Sequence, residues 1–201
     1  MSGNVAGMTE NFVDINGQPV ETIVKELIQW GISLSDNQDN RTATILMKIA
    51  NIKGNVTTIK DYEEAIELMA FRLVAEHKVL VGFTGNIQSS APVKMGNLVF
   101  VMPDGPTVEL LIDACDKGTL LGDITIVILY NQASSQNEVR QEIVFKNCRF
   151  TLLSSAENRT VGSFGYSNIE VDYRCMGADN QKTGSVSAGF NLEACALTST
   201  S

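Results

Sequence analysis

Tyr166–Met176 reads as a strand, and from Asn168 to Cys175 its polar and apolar residues alternate without a break. Ile169, Val171, Tyr173 and Cys175 fall on one side, and Asn168, Glu170, Asp172 and Arg174 on the other. A period of two is the mark of a strand with one dry face and one wet or partner-facing side. Such a strand is not stable alone and needs neighbours to pair with and a layer against its dry face. The residues before it supply both. Ile124–Tyr130 (ITIVILY) is apolar on both faces and rich in β-branched residues, which predicts a strand covered on both sides or a core strand under a helix. Val139–Leu153 reads as one long strand with a bend expected at Lys146-Asn147. The small polar runs Asn131–Asn137 and Ser154–Ser163 are expected to be loops.

Upstream, Gly96–Met102 (GNLVFVM) lies between Pro92 and Pro103 and is long enough for a strand. Asp104-Gly105-Pro106 then opens a helix over residues 106–117, with Asp104 available to cap N–H groups and Pro106 suited to the first turn. Val108, Leu111, Ile112 and Cys115 give its buried face, widened by Leu110 and Ala114. Gly118 stands where a helix C-terminal glycine belongs, and Lys117 suits the negative end of the dipole.

The remainder carries weaker signals. Residues 1–10 are small and polar and are expected to be mobile. Phe12–Ile15 runs into Asn16-Gly17 as a strand before a turn. Val20–Trp30 fits either a helical face or a strand, and Ile32–Leu34 a short strand before the polar loop Ser35–Asn40. Ala43–Ile52 is a strand candidate, with Lys53-Gly54-Asn55 as its turn and Val56–Ile59 able to pair back. Asp61–Glu76 is expected to be a helix, since acids fill its first turn and Ala65, Leu68, Met69 and Leu73 form a stripe. Lys78–Phe83 reads as a strand, and Thr84–Pro92 as a polar connection and candidate boundary. After a turn at Gly177–Gly184, Ser185–Leu197 reads as a last alternating strand, followed by a frayed polar tail. There is no internal repeat and no low-complexity segment.

Few function classes survive the composition. The chain has 201 residues, 44% of them hydrophobic and 19% charged, enough for one domain with a sizeable core. No run approaches the roughly 20 apolar residues of a membrane helix. The first residues lack the basic and apolar segments of a secretory signal, so synthesis in the cytoplasm is expected. A net charge of −8 without a basic patch argues against sequence-reading of nucleic acid. The four cysteines, Cys115, Cys148, Cys175 and Cys195, are widely spaced, as buried free thiols are, rather than paired as in a metal site.

Catalysis fares no better. His77 is the sole histidine, which removes most triads unless it meets a cysteine in the fold. Glu63, Glu64 and Glu67 can be read as paired carboxylates, but a first helical turn of acids is ordinarily a solvated face. Gly162 and Gly165 have no strand-to-helix phosphate loop around them. Asp179-Asn180 lacks the further acids of a calcium loop. Three Asn-x-Thr triplets, at Asn40, Asn55 and Asn158, are read as chance. No catalytic residue, cofactor or metal is expected.

The order GNLVFVM, PTVELLIDACDKG, ITIVILYN, VRQEIVFKNCRFTLLSS and YSNIEVDYRCMGAD resembles the tube-forming protein family of contractile injection machines. That family includes myophage tail tube proteins and the Hcp tube protein of type VI secretion. The resemblance covers Gly96–Cys175, and the first ninety residues depart from it. It implies a mainly β fold with flanking helices, an antiparallel β-sandwich or barrel packed against a helix. It further implies one domain over 1–201, in which 1–90 carries an N-terminal arm, a stacking loop and an extra helix. Six subunits would form a ring, and rings would stack as a hollow tube. The assembly interface would include Asn168, Glu170, Asp172 and Arg174, with Asp36, Gln38 and Asp39 in a stacking loop. The reading placed first is the tube of a contractile phage tail, a conduit for DNA, in a virion. The alternative is a secreted Hcp-like subunit of a type VI system. Partners would be further copies, a sheath, and a baseplate or effector proteins, with DNA passing the lumen unbound. A small-ligand or carbohydrate-binding β-sandwich is the reading from another class.

Overall fold

The computed structural model describes residues 43–76, 79–81, 87–89, 94–131, 137–156, 158–176, 182–192 and 196–200. In chain order the strands are β1 (Ala43–Ile49), β2 (Ile66–Leu68), β3 (Ala70–Arg72), β4 (Ala75–Glu76), β5 (Val79–Val81), β6 (Ile87–Ser89), β7 (Lys94–Met95) and β8 (Leu98–Pro103). Helix α1 (Thr107–Asp116) precedes β9 (Gly122–Asn131), β10 (Asn137–Ala156), β11 (Arg159–Gly165), β12 (Asn168–Met176), β13 (Lys182–Asn191) and β14 (Ala196–Thr200). The fold is therefore mostly antiparallel β-sheet with one short helix among the described residues.

Strand β10 is 20 residues long and belongs to two sheets. Its first half pairs with β9 on one side and β12 on the other; its second half pairs with β11. The change comes at a bulge between Phe145 and Cys148, where Asn147 has φ 56°. Asparagine tolerates that left-handed conformation better than a branched residue does. The Asn147 amide donates to Ser167 Oγ at 2.8 Å, and the Ser167 N–H to the Lys146 carbonyl at 2.9 Å, which pins both strands at the same corner. The bend expected at Lys146-Asn147 is this bulge.

The first sheet runs β2-β1-β9-β10-β12-β13-β14, and the second β10-β11-β8-β3. The chain also crosses between sheets at Met69, between β2 and β3. No ladder joins those two strands, so the sheet is wrapped but not closed. Between the sheets lies one core. Met47, Ile126, Ile143 and Phe145 come from the first sheet, Leu98, Phe100 and Phe164 from the second, and Leu111 from α1. Phe145 meets the edge of Phe164 at 5.3 Å and of Tyr166 at 4.9 Å between ring centroids. Such tilted pairs add roughly 0.5–1.5 kcal/mol each beyond their buried area. Gly162 lies flat beneath Phe100, since a Cβ there would stand 2.2 Å from Phe100 Cζ.

The helix forms as expected, with Val108, Leu111 and Ala114 buried, but Leu110 and Ile112, expected on that face, are exposed. Gly118 ends it at φ 59°, donating to the Cys115 carbonyl while Thr119 donates to Ala114. Asp104 is not its cap. No side chain caps the helix, and Asp104 Oδ1 instead accepts from Thr160 Oγ1 at 2.9 Å and Ser155 Oγ at 3.2 Å, tying the end of β8 to the β10–β11 hairpin.

Other expectations need correction. Asp61–Glu76 is not a helix. Asp61 and Glu64 take positive φ, and burial alternates over Ile66, Leu68 and Ala70 with Glu67 and Met69 exposed, which is strand periodicity. The expected loop Ser154–Ser163 is the tip of a hairpin: β10 continues to Ala156 and β11 starts at Arg159, around Asn158 with φ 67°. Its polar residues lie on both faces: Ser154 and Ser155 are exposed, and Thr160 and Ser163 are buried. Val56–Ile59 does not pair back on β1; Val56 bonds with Ala65 and Glu64. Thr84–Pro92 contains β6, paired with β5. The single last strand is two, β13 and β14, and Thr198–Thr200 lies in β14. The expectations for residues 1–42, His77 and Asp179-Asn180 lie outside the described residues.

Candidate assembly face

The outer face of the first sheet has two halves. On β1, β9 and the start of β10, Leu46, Val127, Leu129 and Val139 point outward and are apolar. The irregular segment 50–65 folds over them, seating Val56, Ile59, Tyr62 and Ala65. Lys53 pairs with Glu64 at 2.6 Å, and Lys48 Nζ donates to the Asp61 carbonyl while lying 4.8 Å from the centre of the Tyr62 ring. Burial, then the nearby Glu142 carboxylate, push the Tyr62 hydroxyl above its usual pKa.

On β12 and β13 the same face is polar and bare. Asn168, Glu170, Asp172 and Arg174 do share it, as their alternation requires. Glu170 accepts from Lys146 at 2.6 Å; this hydrogen bond, with the opposite charge, raises the lysine pKa. Asp172 accepts from Ser187 Oγ at 2.8 Å. Arg174 approaches Glu142 at 3.7 Å, and its Nε is buried without an acceptor, as is the Asn168 Oδ1 without a donor. Glu142, Val144, Glu170, Asp172, Ser187 and Gly189 line an open trough of about 380 Å³. Glu142, Val144 and Lys146 were not singled out from sequence. Their i, i+2 spacing on β10 becomes visible only when β10 and β12 are put in register across the Asn147–Ser167 corner. Asp36, Gln38 and Asp39 lie outside the described residues.

The catalytic candidates do not converge. Glu63 and Glu64 lie in a turn and Glu67 on β2, while Gly162 and Gly165 are strand residues of β11. Among the described residues no three His, Cys, Asp or Glu side chains come together to hold a metal. Cys148 and Cys115 are free thiols, and burial pushes the Cys148 thiol up to about 12. No helix among the described residues is long and apolar enough to cross a membrane.

The family model for the type VI secretion system effector Hcp matches residues 46–173. The chain belongs to the Hcp family. The match takes in the helix, the second sheet and the first sheet from β1 into β12, and ends before β13 and β14. The crystal structure of Hcp1 from Salmonella typhimurium aligns with a TM-score of 0.61 at 17% identity, over 78% of this chain and 99% of that one. A structure of a type six secretion system protein aligns with a TM-score of 0.68 at 14% identity, over 78% and 100%. The secreted protein Hcp3 from Pseudomonas aeruginosa aligns with a TM-score of 0.52 at 14% identity, over 75% and 99%. No curated protein sequence matches the chain. The chain is thus an Hcp-like tube protein, in a structural family rather than an enzyme family. The ordering of the two tube readings changes with it: the type VI alternative fits better than the phage tail placed first.

Proposed function

We propose that this chain is the ring-forming subunit of a type VI secretion tube. Copies associate as homohexameric rings, and rings stack into a hollow conduit for effector proteins rather than DNA. The observation that carries this reading is the Hcp family match over 46–173, which runs from β1 through the helix into β12 and ends before β13. The unpartnered outer face on β12 and β13 supports it, because a ring needs a surface that a neighbour covers. Asn168, Glu170, Asp172 and Arg174 are the interface residues on that face. The chain acts as one domain over 1–201, with a stacking loop at Asp36, Gln38 and Asp39. The subunit is made in the bacterial cytoplasm, assembles there inside a sheath on a baseplate, and is secreted.

Electron microscopy of the purified protein tests this. Six bodies of this chain length give rings roughly 100 Å across. A protein that stays monomeric at high concentration rules the reading out.

A further inference from the structure

The bare half of the outer face carries a charge arrangement that one subunit leaves incomplete. Glu142 and Asp172 stand directly opposite each other on neighbouring strands, where like charges repel. Arg174 relieves Glu142 only at 3.7 Å. Asp172 has the Ser187 hydroxyl and forms no ion pair among the described residues. Val144 gives the trough an apolar floor, and Gly189 contributes no side chain to fill it. The site therefore suits a cation with a flat apolar body.

Beyond the far end of β10, Arg159 opens β11 beside the Asn158 turn. It is exposed and has neither hydrogen bond nor ion pair among the described residues. Its support is stiff: Asp104 Oδ1 holds Ser155 and Thr160, and the Asp104 N–H holds the Asn158 carbonyl at 3.0 Å. A preorganised tip loses little freedom when it docks.

We propose that the trough receives the Arg159 guanidinium of a second copy, set between Asp172 and Glu142. This rests on the tube reading and names a contact within it. The planar guanidinium presents its donors in a fixed fork that can engage two carboxylates with set geometry, whereas an ammonium acts as a point charge. Lys60 and Lys94 are also exposed, but they lack that fork, and Lys60 is flanked by Asp61 and Glu63, which the trough repels. Tip and trough are different surfaces at opposite ends of β10. Their contact is heterologous, so each copy offers one of each and the series of copies propagates.

The test is the concentration at which the protein assembles, read by mass photometry and electron microscopy. It is run on wild type, Arg159→Glu, Asp172→Asn, Asp172→Arg and the double variant Arg159→Glu/Asp172→Arg. Thermal unfolding checks that each variant folds. Each single change is expected to raise the assembly concentration by about tenfold or more. The charge-swapped double variant is expected to return within about twofold of wild type. Wild type that assembles, with single variants that match it or a double variant no better than the singles, overturns this contact and leaves the tube reading standing. Wild type that never assembles overturns the tube reading, and the contact falls with it.

Discussion

The two halves of the first sheet's outer face are built from adjoining strands and share β10, yet they end differently. Where Leu46, Val127, Leu129 and Val139 point outward, the chain spends residues 50–65 covering them. Where Glu142, Glu170 and Asp172 point outward, the face stays bare. Apolar area left in water costs about 25 cal/mol per Å², so an apolar half face must be covered within the subunit. A charged half can wait for a partner, because water solvates it meanwhile. On this outer face the apolar half is covered within the subunit and the ionic half is left to solvent.

Substitutions break this comparison in order of effect. Ile169 is 3% exposed on the dry side of β12, where the bare strand joins the core. Ile169→Asp buries an unpaired charge and is expected to cost more than about 4 kcal/mol. Loss of the cooperative circular-dichroism transition is the readout, and a normally folded variant would show that the strand is not anchored. Phe164→Ala removes a fully buried ring and is expected to cost about 3–5 kcal/mol by denaturant titration. Gly162→Ala drives a methyl into the Phe100 ring and is expected to cost about 1–3 kcal/mol in the same titration.

At the wet side the sign of the experiment changes. Glu170→Arg loses one exposed pair with Lys146, which water and salt already screen, so the monomer should melt close to wild type. Assembly should weaken instead. A variant that both folds and assembles like wild type would remove Glu170 from the interface.

Alkaline titration tests the core without a substitution. Burial pushes the Cys148 thiol and the Tyr166 hydroxyl each up to about 12. In the unfolded chain the thiol ionises from about 8.5 and the phenol from about 10. Above a pH of about 8.5 the unfolded state therefore loses protons that the folded state keeps, and stability should fall as pH rises toward about 12. Denaturant midpoints between about pH 8 and about pH 10.5 report the onset, and a flat profile would mean these groups meet water.

Much of this was legible in the chain because period-two alternation survives folding unchanged. Ile169, Val171 and Tyr173 fall on one side of β12 in the sheet as in the sequence. The helix was equally plain in its existence and its end at Gly118, though Leu110 and Ile112, read as part of its buried face, are about half exposed at 50% and 49%. Asp61–Glu76 misled because a short run of acids and leucines satisfies both periods, and only Asp61 and Glu64 at positive φ decide between them. Ser154–Ser163 misled because small polar residues occupy both faces of this hairpin, Thr160 and Ser163 buried among them, so no alternation marks it as strand. The trough was hidden for a different reason. Glu142 and Asp172 are far apart in sequence and become neighbours only through the register across Asn147.

That register has a mechanical consequence. Because β10 runs unbroken through both sheets, β12 and β13 are not an appendage hung on side-chain contacts. A pull on them along the strand direction is carried by the β10 backbone and shears its ladders with β9 and β11 together. Load is then shared among many hydrogen bonds at once instead of unzipping them one by one. A subunit gripped through β12 by its neighbour would pass thrust directly into its own core.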